Sequence, residues 1–498
     1  MSSHSAYAEL VAAHERLYRF DHIAAMLSWD RSTMMPPGGS VARAAADAEL
    51  RGLIHGLRRA PRLAELIQRA SDEALDDFER ANLREIRRDW LEANALPETL
   101  AAARALAGAR CEHAWRSQRP ANDWPGFLAN FREVVHLARE EAVRLADATG
   151  LAPYDTLLER YEPGMRTAVL DRYFDGLQTW LPDLVVRAQA VQRNAQVIVP
   201  AGPFPVADQR RLGRAVMEVL GFDFGAGRLD ESAHPFTGGV AEDVRLTTRY
   251  DERDFLPALN STLHETGHAR YAQGLPRAWL SQPVGRPRSY AIHESQSLFV
   301  EMQVGRSRDF AEVLTPLLRT HLGDRAGFDA DNLYRLLTRV APGRIRVAAD
   351  EASYPAHVIL RYQIERALIS GEIEAEDIPT LWDEKMLALL GVDTRGNYGD
   401  GCMQDVHWTD GAFGYFPSYT LGAMYAAQWF AGLQRKIPDI GSQIAAGDLK
   451  ALFDWLDANI WSQASRWETS ELVCRASGTD LDPAHFRAHL EARYLGAH

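Results

Sequence analysis

Apolar residues recur at helical spacing along most of this chain, and that period limits its fold more than any other feature of the sequence. Val134, Ala138, Ala142 and Leu145 share one face of a predicted helix closed by Gly150 and then Pro153. Leu449, Leu452, Phe453, Leu456 and Ile460 form a second stripe, with Asp448 as the expected N-cap. Similar patterns run before residue 110 and from about 311 to 391. One stretch keeps a different period: Val244, Leu246, Thr248 and Tyr250 alternate with Asp243, Arg245, Thr247 and Arg249, as in a half-buried strand. It follows Pro200, Pro203, Pro205 and the Gly238 and Gly239 pair, the most loop-rich part of the chain. No repeat, low-complexity tract or long polar linker interrupts the sequence, so a mainly α protein with one small sheet, a cleft and a single domain over residues 1–498 is expected.

Composition sets the outer limits. With 46% hydrophobic and 25% charged residues over 498 positions, the chain can bury a large core, which excludes disordered and collagen-like classes. Its 55 basic against 68 acidic residues leave a net charge of −13, so no broad nucleic-acid-binding surface is expected. Cys111, Cys402 and Cys474 suit neither a disulfide framework nor a CxxC site, which favours a reducing cytoplasm. The first twenty residues lack an apolar export signal, and no long uncharged apolar run occurs, so neither export nor a membrane span is expected.

Residues 264–268 read His-Glu-Thr-Gly-His. Four helical steps of about 100° bring His264 and His268 onto one face, where both can bind one Zn²⁺ with Glu265 beside them. Chance alone would give about 0.03 such HExxH patterns in a chain of this composition. A third histidine six residues after His268 is excluded, because Gly274 stands there and Tyr271 replaces the glycine of that extended pattern. The third ligand must then be a downstream acid. Glu294, at the start of a predicted second helix, is preferred over Glu301, which lies two turns further on the same face and is otherwise a supporting or a solvated acid. A His₂Glu zinc site lowers the pKa of a water toward neutrality, and Glu265 is placed to take its proton and pass it to a leaving amine. The reaction class this indicates is peptide hydrolysis.

Further motifs accompany that core: His234-Pro235-Phe236, Asp243-Val244-Arg245-Leu246-Thr247, His293-Glu294-Ser295-Gln296, Ile345 to Asp350, Gly401 to Trp408, and an N-terminal Leu27-Ser28-Trp29-Asp30 followed by Met34 to Gly39. In these segments and their order the chain resembles the carboxypeptidase Taq family of zinc metallocarboxypeptidases. The resemblance implies a saddle-shaped helical metallopeptidase with a deep central groove and one small β-sheet near the active site. It further implies a homodimer that removes C-terminal residues from peptides with broad tolerance, using Zn²⁺ or Co²⁺. The implied ligands are His264, His268 and Glu294, with Glu265 as the base.

Other roles rest on chemistry that several residues could supply. His407 and Tyr419 resemble the oxyanion donors of related helical zinc peptidases, with Tyr415 beside them and core packing as the competing reading for both tyrosines. A terminal carboxylate calls for a bidentate arginine. Arg346 is the first candidate, against an ion pair with Asp350 at i+4, and Arg245 is the second. His234 is a candidate groove-lining residue or a structural histidine. A helical zinc oligopeptidase or endopeptidase would share the metal chemistry and differ in end-group recognition, whereas a non-catalytic zinc scaffold would not need Glu265.

Overall fold

The computed structural model describes residues 5–496, so the first four residues of the segment read for an export signal lie outside it. Helices dominate the described residues, with one three-stranded sheet. None of these helices is long and apolar enough to cross a membrane. The chain divides into two compact units: Met1–Asn94, Val197–Leu337 and Tyr425–Leu481 form the first, and Ala95–Gln196, Thr338–Met424 and Asp482–His498 the second.

In the first unit the strands are β1 (Gly227–Glu231), β2 (Thr237–Val240) and β3 (Asp243–Thr248), in the order β1-β3-β2. β1 runs parallel to β3 with Gly227 opposite Val244, and β2 antiparallel to it with Thr237 opposite Leu246. The alternation expected for β3 places Val244 and Leu246 in a core with Met217, Phe222 and Ala269. Ala269 belongs to the helix Leu256–Gly274, so the sheet backs directly onto that helix. Thr247 departs from the alternation and is fully buried, because its hydroxyl accepts the Phe236 N–H at 3.0 Å and its backbone N–H binds the Phe236 carbonyl at 2.9 Å. The strand ends at Thr248, and Tyr250 lies beyond it. The helix expected after Asp448 spans Lys450–Asn459, with Leu449 as its first flanking residue and Asp448 accepting the Lys450 N–H from just outside.

In the second unit the helix Trp124–Thr149 buries Val134, Ala138, Ala142 and Leu145. Asp123 caps its start by accepting the Gly126 N–H, and Gly150 ends it at φ 74°, a backbone angle that glycine adopts without a Cβ clash. The helix Tyr354–Ser370 is buried almost throughout, including Arg361 and Glu365. The C-terminal helix Pro483–Leu495 is anchored by Glu351, itself 1% exposed, which meets His489 Nε2 at 2.6 Å, Arg493 Nη1 at 2.8 Å and the Tyr494 hydroxyl at 2.8 Å. Cys111 and Cys402 are buried, Cys474 is exposed, and none is paired.

Removing the acceptor from a buried ion pair strands the charge of its partner. Glu351→Ala is therefore expected to destabilise the second unit by about 3–5 kcal/mol, seen as a lower melting temperature and faster proteolysis of the last helix. An unchanged melting curve would show that Arg493 is solvated without its partner.

Candidate active site

The helix Leu256–Gly274 carries His264, Glu265 and His268, and Pro257 favours its first turn, where the absent N–H has no helical acceptor to lose. The two histidine rings lie 5.0 Å apart, one turn from each other. The next helix, Tyr290–Leu298, starts at Ser289, whose hydroxyl accepts the Ile292 N–H at 3.1 Å. These helices meet at Gly267. A Cβ there would lie 2.4 Å from the Gln296 carbonyl oxygen and 2.6 Å from Ser297 Cα, so only glycine permits the approach.

That approach places Glu294 Oε2 3.3 Å from His268 Nε2 and 3.8 Å from His264 Nε2. One ligand atom from each of the three residues falls within 4.8 Å of the others. Tetrahedral coordination with bonds of about 2.0–2.1 Å spaces its ligand atoms about 3.3 Å apart, so the three side chains fit a first-row divalent ion. The far nitrogens are also engaged. His264 Nδ1 meets Glu301 Oε2 at 2.8 Å, and His268 Nδ1 meets the His293 carbonyl at 3.1 Å, while the His293 ring stacks on His268 at 4.4 Å. Acceptors on both Nδ1 atoms fix the tautomer that turns Nε2 toward Glu294.

Glu301 reaches His264 because the chain widens into a π-helical turn over Phe299–Gly305, where the Arg306 N–H returns to the Glu301 carbonyl five residues back. Arg306 also donates to Glu301 Oε1. Burial raises the Glu301 pKa, but the Arg306 charge and the His264 bond outweigh it, so the carboxylate stays ionised. Burial alone would lower the His264 pKa, yet Glu294, Glu301 and Glu265 together lift it to about 10. Burial raises the Glu294 pKa in turn, and three carboxyl groups thus surround His264. Glu265 is 7% exposed and takes the Thr237 hydroxyl on Oε2 at 2.6 Å. Elsewhere in this unit, Arg245 grips Asp243 through Nε and Nη2, and His234 is exposed, its carbonyl accepting from the Ser232 hydroxyl.

The second unit gathers the remaining residues singled out in the sequence. Arg346 is 4% exposed and donates from Nε to Asp405 at 2.9 Å and from Nη1 to the Tyr354 hydroxyl at 2.8 Å. The i+4 pair with Asp350 does not form, because Arg346–Ala348 is a short 3₁₀ turn and Asp350 instead accepts the Ala352 and Ser353 N–H groups. Arg361 holds the other oxygen of Asp405. Burial opposes the Asp405 charge, but Arg361 and Arg346 outweigh it and hold the carboxyl well below the usual range. The Arg346 guanidinium lies 4.9 Å from the Tyr419 ring, and the Tyr419 hydroxyl is 3.4 Å from His407 Nε2. Burial, reinforced by the Arg346 charge, lowers the His407 pKa to about 4, so the ring is neutral at pH 7. Tyr415 packs on His407 with ring centroids 5.1 Å apart. Both ends of this segment are tied to buried Glu365, which accepts from Trp408 Nε1 at 2.7 Å and the Gly414 N–H at 2.9 Å.

The sequence reading did not find Thr237, Arg306, Asp405 or Glu365. Thr237, Arg306 and Glu365 had no local signal, whereas Asp405, inside the Gly401 to Trp408 motif, could have been found by asking which acid pairs with Arg346.

The chain as a whole is similar to known proteins. The family model described as "Carboxypeptidase Taq (M32) metallopeptidase" matches residues 9–494. Thermostable carboxypeptidase 1 of Thermus thermophilus is 37% identical, covering 99% of each chain, and carboxypeptidase 1 of Bacillus subtilis is 31% identical, also covering 99% of each. The solved structure of Trypanosoma cruzi metallocarboxypeptidase 1 superposes with a TM-score of 0.97 at 45% identity, covering 98% of this chain and 99% of that one. The chain belongs to the M32 carboxypeptidase Taq family of metallopeptidases.

Two expectations follow. Glu301→Gln should weaken metal binding about 10- to 100-fold, measured by titrating metal-free protein, and unchanged affinity would remove Glu301 from the support of His264. Burial lifts the Glu365 carboxyl from 4.5 to about 7, so the folded state holds a proton that the unfolded chain releases between those values. Its contribution is full below pH 4.5 and is lost as pH rises through 7. Wild-type stability should therefore fall relative to Glu365→Gln between pH 5 and pH 8, by up to about 3 kcal/mol, and parallel melting-temperature profiles would refute this.

Proposed function

We propose that the protein is a zinc-dependent carboxypeptidase of the HExxH type that releases C-terminal amino acids from peptides with broad side-chain tolerance. The observation that carries this reading is the convergence of His264 Nε2, His268 Nε2 and Glu294 Oε2 beside the Glu265 carboxylate. His264, His268 and Glu294 would hold the ion, and Co²⁺ suits the same donors. Zinc, when bound, supplies Lewis acidity that makes a water nucleophilic near neutral pH and polarises the scissile carbonyl. Glu265 takes the proton released by the attacking water and delivers it to the departing amine nitrogen as the C–N bond breaks. A carboxylic acid and an amine result, and Glu265 ends ionised as it began.

His407 and Tyr419 are assigned as donors to the carbonyl oxygen as it gains charge, with Tyr415 packed against His407. His407, neutral at pH 7, can still donate through one ring N–H. Arg346 is assigned as anchor of the substrate's terminal carboxylate, with Arg245 the second candidate and His234 a candidate groove-lining residue. Asp405 and Tyr354 orient the Arg346 fork without removing its charge. A homodimer working in the cytoplasm completes the proposal, in keeping with three unpaired cysteines.

The deciding experiment is mass spectrometry of a short peptide offered as free acid and as C-terminal amide. Stepwise loss of single C-terminal residues is expected, with amidation slowing cleavage at least about tenfold. Glu265→Gln should keep its metal and lose at least about 10² in turnover. Internal cleavage of both peptides at equal rates would make the enzyme an endopeptidase, and full turnover by Glu265→Gln would overturn its role as base.

A further inference from the structure

Thr237 opens β2, an edge strand of the sheet, and its Oγ1 lies 2.6 Å from Glu265 Oε2 and 3.1 Å from the Glu265 carbonyl oxygen. A hydroxyl has one proton to give. The shorter contact falls in the range of charge-assisted O–H···O⁻ bonds, so the proton belongs to the carboxylate. We propose that Thr237 is the positioning residue for Glu265, holding Oε2 so that proton transfer runs through Oε1. The inference deepens the reading of Glu265 as the base and rests on it.

The position of Thr237 is fixed independently of Glu265. Its ladder partner is Leu246 on β3. The preceding residue, Phe236, is pinned on both backbone groups by Thr247, and its ring packs against Trp29 with centroids 5.4 Å apart. At the other end of β2, Gly239 adopts φ 90°, where a Cβ would lie 2.1 Å from the Asp243 carbonyl oxygen, so the strand turns tightly into β3. β-Branching at Thr237 restricts χ1, and the hydroxyl therefore arrives in a set direction.

Glu265 needs such a partner for two reasons. A carboxyl group only 7% exposed needs protein hydrogen-bond partners in place of water. A glutamate also has three side-chain torsions, whereas a base must stay within about 0.5 Å of its productive position. One bond from a rigid strand answers both needs.

The test compares Thr237→Val, which keeps the shape and removes the hydroxyl, with Thr237→Ser, which keeps the hydroxyl. In Thr237→Val, kcat should fall about 10- to 100-fold with KM, zinc stoichiometry and melting temperature unchanged. Thr237→Ser should restore kcat to within about threefold, and Thr237→Val should lower the residual rate of Glu265→Gln by less than about twofold, since no carboxylate remains to be aimed. Unchanged kcat in Thr237→Val would overturn the proposal, as would a serine variant as slow as the valine one. Loss of zinc or of folding in Thr237→Val would also overturn it, by making the role structural. A slow Glu265→Gln beside a normal Thr237→Val would sink the positioning role alone, whereas a fully active Glu265→Gln would sink the base itself.

Discussion

The geometry of the candidate metal-binding triad in the first unit depends on one close contact, the meeting of the helices Leu256–Gly274 and Tyr290–Leu298 at Gly267. Any side chain there would collide with the backbone of Gln296 and Ser297. With the contact made, the His293 carbonyl reaches His268, the His293 ring stacks on it, and Glu294 faces both Nε2 atoms. The three side chains are therefore set by backbone packing, and little side-chain entropy would remain to be lost on binding an ion.

Acidic side chains also crowd the first of the two histidines. Glu294, Glu301 and Glu265 lie around His264 and raise its pKa against the opposing effect of burial. The second unit treats its buried acids differently. Asp405 is matched by Arg346 and Arg361, while Glu365 is satisfied by three donors and kept close to neutrality by burial.

Much of this was legible in the sequence because helix period and strand period are local. The Val134 to Leu145 face, the Leu449 to Ile460 stripe and the β3 alternation each follow from spacing alone. One-turn spacing also puts His264 beside His268. What escaped is tertiary. Thr247 is buried against the alternation because it bonds Phe236, and Arg346 misses Asp350 because its segment is not α-helical. The π-turn cannot be read from period, since it adds one residue to one turn of an otherwise apolar run, yet it brings Glu301 to His264. No long polar linker marks the two units, which the chain enters and leaves five times, once inside the helix Pro417–Lys436. The family match from residue 9 to 494 spans both units.

The central claim is that the packing at Gly267 builds the metal site, and zinc titration of metal-free wild type and Gly267→Ala, with far-UV circular dichroism of each, tests it most directly. The account predicts one tightly bound ion per wild-type chain, and affinity at least about 100-fold weaker in Gly267→Ala, with helicity nearly unchanged because a core of this size does not need the ion. Wild-type affinity and stoichiometry in Gly267→Ala would contradict it.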